Sequence, residues 1–253
     1  MLLAAWPGLT AAAPPLPEQV ELFAGTFTNE EQVYFDGEAG RKAPAWFSLR
    51  IARDGERLTI AEPDAFGVLH DPPHIARLGT ENGTLVLDYG ACQRLYRAEG
   101  AAWVASGMRG RCRAPGTITR VDARAITLTF PDGSTTDLRR ARGVNCWVAL
   151  RKRNPAPAGG EDWLFKRGIE LHDQGGRARV GHDDPDVEPV VIRVRNVTWE
   201  TGSSNHPVVT LYVHRPDQPI RAESYSWAAQ DSSRVGINLR WMQAGCTIKE
   251  SHQ

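Results

Sequence analysis

Aromatic rings and arginines in the first half of the sequence are the side chains best suited to chemistry. A planar ligand gains buried area and stacking from aromatic rings, and the guanidinium fork holds a carboxylate in bidentate fashion. The same residues could instead fill a core or pair with acids on strand surfaces. We expect a ligand site that draws on six of them: Trp46, Tyr89, Arg94, Tyr96, Trp103 and Arg140. Tyr34, Arg139 and Arg142 are further candidates for the same roles.

The sequence carries no complete signature of catalysis or of metal binding. There is no Gly-x-Ser-x-Gly and no cysteine beside a predicted histidine, so no nucleophile is assigned. His70 and His74 are four residues apart, but the two intervening prolines exclude the helix that would align them. The acidic run from His182 to Asp186 fits no complete calcium loop. We therefore predict no catalytic residue, no metal site and no cofactor.

The composition is that of a folded protein without a charge bias. The 253 residues include 30 Lys plus Arg and 30 Asp plus Glu, so the formal net charge is zero. A general nucleic-acid or polybasic membrane binder would carry a surplus of positive charge. The early apolar run ends near Ala13, well short of the roughly 20 residues that cross a bilayer. We expect no nucleic-acid partner and no transmembrane span.

The first 16 residues suggest export. Residues 2–13 read LLAAWPGLTAAA and are followed by two prolines, a pattern typical of the end of a secretory apolar region with a small-residue cleavage site. No Lys or Arg precedes Arg41, so a flexible Ala-rich tail is the alternative interpretation. With an export signal, the protein would be periplasmic or secreted, where disulfides persist.

The four cysteines allow two disulfides. No two of them form a CxxC, which argues against a zinc knuckle or a thioredoxin-type motif. Three pairings are possible, and we favour Cys92 with Cys112, because a hairpin between them would bring their ends together. Cys146 with Cys246 would then tie the end of one half of the chain to the end of the other. Four buried free thiols are the alternative.

Periodicity predicts a mainly β fold that follows an N-terminal helix. Apolar residues from Val20 to Phe27 fall on one helical face, so residues 17–36 are predicted to be helical. After Pro44 the period becomes two, and short alternating runs are separated by turn signals. These signals are Asp54-Gly55, Asn82-Gly83, Glu99-Gly100 and Asp132-Gly133. The pattern indicates an antiparallel meander, which loses its exposed edges most simply by closing into a barrel.

The domain organisation is predicted from one Pro- and Gly-rich segment. Residues 154–160 would link a barrel over residues 17–153 to a β-rich region over residues 161–253. That last region has runs rich in β-branched residues, such as Val190–Val194 and Val208–Val213. It could form a small sandwich or add strands to the first unit.

Three local motifs carry a family resemblance over residues 17–153. The run LFAGTFTNEEQ from Leu22 to Gln32 contains F-x-N-x-x-Q, Cys92 and Cys112 bound a hairpin segment, and a strand pair runs from Thr127 to Arg140. In these motifs the chain resembles the CpeT/CpcT-type chromophore lyases. The resemblance implies an antiparallel calycin-like barrel, related in shape to lipocalins. It also implies a pocket that receives an open-chain tetrapyrrole and hands it to a partner cysteine.

Three functions are consistent with the sequence. The first is an exported barrel protein that binds a small hydrophobic, amphipathic or planar ligand, of which a tetrapyrrole is one example. The second is a lyase-like enzyme that attaches a bilin to a protein cysteine. The third is a non-enzymatic structural or interaction protein of the envelope, whose barrel would be packed solid.

Overall fold

The structure, a computed structural model, describes residues 21–112, 116–154, 162–199, 205–219 and 221–249. These residues form eighteen strands and the helix α1 (Glu30–Glu38), and residues 21–23 are also helical, so the prediction of a mainly β chain is confirmed. The predicted export segment, residues 1–16, lies outside the described residues, as do residues 155–160 of the predicted linker. Within the described part of the chain, no helix is long and apolar enough to cross a bilayer.

The first ten strands form a closed antiparallel barrel, as predicted. The barrel closes because β1 pairs with both β2 and β10, while every other strand pairs with its neighbours in sequence. The strands are β1 (Gly25–Thr28), β2 (Ser48–Asp54), β3 (Arg57–Ala61), β4 (His74–Glu81), β5 (Thr84–Asp88), β6 (Cys92–Glu99), β7 (Ala102–Gly110), β8 (Thr117–Val121), β9 (Ala125–Thr129) and β10 (Thr135–Ala141).

The turn between β4 and β5 shows why the meander could be predicted. Glu81 pairs with Thr84, which leaves Asn82 and Gly83 as a two-residue turn. Both have positive φ, 49° and 78°, the conformation that Asn-Gly adopts at low cost and that matches the twist of a hairpin.

The helix predicted over residues 17–36 is wrong in its central part. Residues 21–23 are helical, Gly25–Thr28 is strand β1, and α1 begins at Glu30. Thr26, Phe27 and Thr28 are β-branched or aromatic and suit a strand. The backbone of β1 is hydrogen-bonded on both sides, which closes the barrel, and this non-local pairing outweighs the helical spacing of the apolar residues.

Apolar side chains pack one end of the barrel solid. Phe23, two residues before β1, is fully buried and meets the ring of Tyr96 edge-on at 5.7 Å between centroids. Trp103, Val121 and Ile126 belong to the same buried cluster. This packing leaves space for a ligand only toward the opposite end.

The remaining strands form two four-stranded antiparallel sheets that share a second apolar core. One sheet has the order β12-β11-β18-β17 and the other the order β13-β14-β15-β16. Val144, Val148, Val194 and Leu211 are among the buried residues between them. The strands are β11 (Gly143–Arg151), β12 (Trp163–His172), β13 (Gln174–Val180), β14 (Val190–Val197), β15 (Val208–His214), β16 (Ala222–Ala229), β17 (Arg234–Asn238) and β18 (Met242–Ile248). The sequence left open whether this region forms a small sandwich or adds strands to the barrel, and the structure shows the sandwich.

The barrel ends earlier than predicted. The last barrel strand stops at Ala141, and β11 pairs with β12 and β18 of the sandwich. The boundary therefore falls at Arg142, and the predicted linker instead joins two neighbouring strands of one sheet. The sequence around Arg142 has no turn signal that would have predicted this boundary. In the structure, its backbone N–H and its guanidinium both donate to the buried carboxylate of Asp173, at 2.7 and 2.6 Å.

Both favoured disulfides are present. Cys92–Cys112 joins the start of β6 to the residues after β7, and Cys146–Cys246 joins opposed residues of β11 and β18. No described cysteine is free.

Candidate functional site

A cavity of about 550 Å³ opens at the barrel end that Phe23 does not fill. In an antiparallel meander the starts of even-numbered strands and the ends of odd-numbered strands meet at one end, and these are the segments that line the cavity. Its apolar wall consists of Phe47, Leu49, Ile60, Ile75, Ile118 and Leu128. The volume lies in the range of pockets that hold drug-sized ligands.

Among the described residues, few backbone pairs join β7 to β8 beside this cavity. β7 and β8 pair only through Trp103 with Val121 and Val104 with Arg120, at the packed end. Beyond these pairs β7 continues to Gly110 and is paired with β6. The result is a seam between the cavity halves of β7 and β8, with the Cys92–Cys112 disulfide among the cavity-lining residues.

Arg94 and Tyr89 provide polar groups inside this apolar wall. The Arg94 guanidinium donates a 2.7 Å hydrogen bond to Thr117 Oγ1, which fixes its position in the cavity. Burial raises the pKa of Tyr89 to about 12, so its hydroxyl remains protonated at neutral pH. Among the described residues, no group forms a hydrogen bond with that hydroxyl, so it is free to bond a ligand.

Glu62 and His74, at the end of β3 and the start of β4, also line the cavity. Burial raises the pKa of Glu62, while the nearby His74 lowers it and Asp71 raises it further. With Arg94 and Arg111, the lining holds two guanidiniums, one carboxylate and one imidazole. This arrangement can hold an amphipathic molecule whose acidic group meets Arg94.

Tyr89 and Arg94 are the only two of the six predicted ligand residues that line the cavity. Tyr96 and Trp103 also point into the barrel, but at its packed end. The Tyr96 hydroxyl donates to the Ile118 carbonyl at 3.1 Å, and burial raises the pKa of this hydroxyl far above its usual value. Both side chains belong to the core and not to the cavity lining.

Arg140 and Trp46 lie outside the cavity. The Arg140 guanidinium donates to the carbonyls of Leu22 and Ala24 and covers the Phe27 ring, so it anchors the chain before β1. Trp46 donates from its indole nitrogen to Glu30 Oε2 at 2.9 Å, between barrel and sandwich.

The further arginine and tyrosine candidates also lie at this junction. Arg139 pairs with Glu31 at 3.1 Å, Arg142 pairs with Asp173, and Tyr34 packs under the guanidinium of Arg195.

Sequence reasoning missed Glu62, His74, Arg111 and Phe47 as cavity residues. All four lie at or just beyond strand ends, where alternation no longer tells inside from outside. The sequence drew attention to His74 only through its spacing from His70, which suggested a metal site. In the structure His70 instead contacts Asp64 at 3.3 Å. Within the described ranges, no three His, Cys, Asp or Glu side chains come together as a metal site would need.

Comparison with protein-family models, curated proteins and solved structures gave no match. The resemblance to the CpeT/CpcT-type lyases therefore stays a prediction.

Proposed function

We propose that this protein binds a small amphipathic or planar carboxylic acid in the open end of its barrel. The observation that carries the proposal is the 550 Å³ cavity with Arg94 fixed in an apolar wall. A solid barrel would have favoured the structural alternative, and the cavity argues against it. A charge-assisted hydrogen bond to Arg94 would orient the acid, and the apolar wall would bury the rest of the ligand.

The two disulfides support a place for this protein in the periplasm or outside the cell, because disulfides form and persist in oxidising compartments. A tetrapyrrole is the ligand that the family resemblance suggests, and a fatty acid is the simpler amphipathic candidate. Nothing in the cavity adds an argument for the lyase alternative.

Fluorescence titration with two probes tests the proposal. Dansylaminoundecanoic acid reports on a fatty-acid site, and biliverdin quenching of tryptophan emission reports on a tetrapyrrole site. At least one should bind saturably to the wild-type protein. The variant Ala91→Trp places a bulky ring at an exposed position in the cavity lining and should block binding.

Ala101→Trp is the matched control, because Ala101 is exposed in the turn between β6 and β7 at the packed end. Loss of binding in both variants, or in neither, would contradict a site in this cavity. Failure of both probes to bind the wild-type protein would remove the proposal itself.

A further inference from the structure

Three arginines converge where the sandwich meets the barrel, away from the barrel cavity. Arg177 on β13 lies directly opposite Arg193 on β14, and Arg195 is the next residue of β14 on the same face. Like charges directly opposite on neighbouring strands destabilise a sheet unless something compensates them.

The described acids do not neutralise this cluster. Glu30 on α1 contacts Arg193 and is the one carboxylate in the cluster, so three guanidiniums and one carboxylate leave a formal charge of +2. Glu31 is paired with Arg139, and Asp173 is paired with Arg142. Burial and the nearby Arg195 lower the pKa of Arg193 to about 10 despite its contact with Glu30, so it stays charged at neutral pH.

The arginines also have unused hydrogen-bond donors. The Nε atoms of Arg177, Arg193 and Arg195 are buried and have no hydrogen-bond partner among the described residues. Arg195 is itself only 5% exposed; its guanidinium stacks 3.7 Å from the Tyr34 ring centre and donates to the Tyr212 hydroxyl at 2.9 Å. Buried charged donors without partners are costly, so a ligand that supplies acceptors would gain their full interaction.

A cleft of about 390 Å³ lies directly beside the cluster. Its walls are the rings of Tyr34 and Trp46 with Val33 and Ala65, and Arg177, Arg193 and Glu30 complete the lining. Most of these side chains are partly exposed, which gives a small molecule access. The lining thus combines aromatic walls with two guanidiniums, one of which has no acidic partner among the described residues.

We propose that this cleft is a second binding site, for a small planar dianion such as an aromatic dicarboxylate. The two negative charges match the formal charge of the cluster. One carboxylate would bond Arg177, and the flat body would pack between Tyr34 and Trp46. The site is independent of the barrel cavity, because the two share no lining residue.

Isothermal titration calorimetry with benzene-1,3-dicarboxylate tests this site, and its neutral diamide serves as the ligand control. The dicarboxylate should bind with one site per chain, and the diamide should not bind. Arg177→Gln should weaken binding about tenfold or more, since it removes a charge-assisted pair. Arg177→Lys keeps the charge but loses the fork, and it should weaken binding less.

Arg179→Gln is the matched protein control, because Arg179 is two residues along β13 and stacks 3.8 Å from the Phe66 ring, outside the cleft. It should leave the affinity within about twofold of wild type. Without ligand, Arg177→Gln should melt no lower than wild type, because it removes the charge opposite Arg193. That measurement separates a lost site from a lost fold.

Several results would overturn the site. They are absence of saturable binding, equal binding of the diamide, or a loss of affinity in Arg94→Gln that Arg177→Gln does not reproduce. Sulfate that raises the melting temperature as much as the dicarboxylate would overturn the assignment of a planar ligand.

Discussion

The Arg94 guanidinium donates a 2.7 Å hydrogen bond to Thr117 Oγ1 and so connects β6 to β8, two strands that β7 separates in the barrel order. This contact lies on the cavity side of the barrel, where β7 and β8 no longer pair. Arg94 therefore has two roles at one place: it bridges the seam, and it presents a fixed cation to whatever enters the cavity.

Replacing Arg94 with glutamine should reduce the affinity for a carboxylic acid ligand. A hydrogen bond to a charged group contributes about 1.5–3 kcal/mol, so the loss should be roughly 10- to 100-fold for the acid. The alcohol analogue of the same probe should bind with little change. Titration of both probes measures the difference.

Arg97→Gln is the control for this prediction, since Arg97 is exposed and pairs with Glu99 at 3.6 Å near the packed end. Equal losses for acid and alcohol would show that Arg94 shapes the cavity without binding the acidic group.

The two disulfides should contribute unequally to stability. In the chain-entropy description, a cross-link stabilises the fold more when it closes a longer loop. Cys146–Cys246 spans 100 residues and Cys92–Cys112 spans 20. Removing the first by a double Cys→Ala change should cost about 4–5 kcal/mol, and removing the second about 3 kcal/mol. Urea unfolding of the two variants measures both values; the reverse order would contradict the argument.

Local signals in the sequence were enough to predict the barrel. Two-residue turns such as Asn82-Gly83 and alternating apolar residues act over a few positions, and the folded chain keeps them. The assignment of Gly25–Thr28 failed because its partners, β2 and β10, lie far along the chain. The partners of β11 are also distant in sequence, and only the predicted Cys146–Cys246 disulfide indicated that it lies beside β18.

The cavity residues could be predicted only in part, for a related reason. Alternation shows that Tyr89, Arg94, Tyr96 and Trp103 could share the barrel interior, but it does not give their height along the barrel axis. Tyr96 and Trp103 fall at the end that Phe23 closes, whereas Tyr89 and Arg94 fall at the open end. That height depends on the register and on the segment before β1.

Glu62→Gln should stabilise the protein at neutral pH. Burial raises the pKa of Glu62, so the ionised carboxylate costs more in the folded state than in the unfolded state. For an acid with a raised pKa, the stability of the folded state is highest below the pKa of the group in the unfolded chain, about 4.3. This stability falls as the pH rises through the pKa of the group in the folded state. The variant should therefore exceed wild type in melting temperature at pH 7 and match it below about pH 4.

The exposed Glu99, changed to glutamine, provides the comparison for Glu62. A pH-independent difference between Glu62→Gln and wild type would indicate altered packing instead of altered charge.

Gly245→Ala should destabilise the sandwich. A Cβ at this position would lie 2.6 Å from Trp147 Nε1, because the indole ring occupies the space above the glycine. Overpacking of this kind costs about 1–3 kcal/mol. Gly79→Ala is the control in a strand, as a Cβ there meets nothing within 4 Å.

A double-mutant cycle identifies the cause of this loss. If the ring is responsible, Trp147→Ala should remove most of the cost of Gly245→Ala, and urea unfolding of the four proteins measures this coupling. Additive losses would mean that the backbone of β18, and not Trp147, resists the change.

His172 should make the fold sensitive to mild acid. Burial lowers the pKa of its imidazole from 6.5 to about 4, and its Nδ1 has no hydrogen-bond partner among the described residues. Between these values the unfolded chain binds a proton that the folded chain does not, so stability is present above pH 6.5 and is lost as the pH falls toward 4. The full shift corresponds to at most about 3 kcal/mol.

The free energy of unfolding of wild type should therefore fall more steeply between pH 7 and pH 4 than that of His172→Gln. His206→Gln, at an exposed position, should keep the wild-type slope. If the unfolding free energy of His172→Gln fell as steeply with pH as that of wild type, other groups would be the cause of the acid sensitivity, because this variant has no imidazole at position 172 to take up a proton.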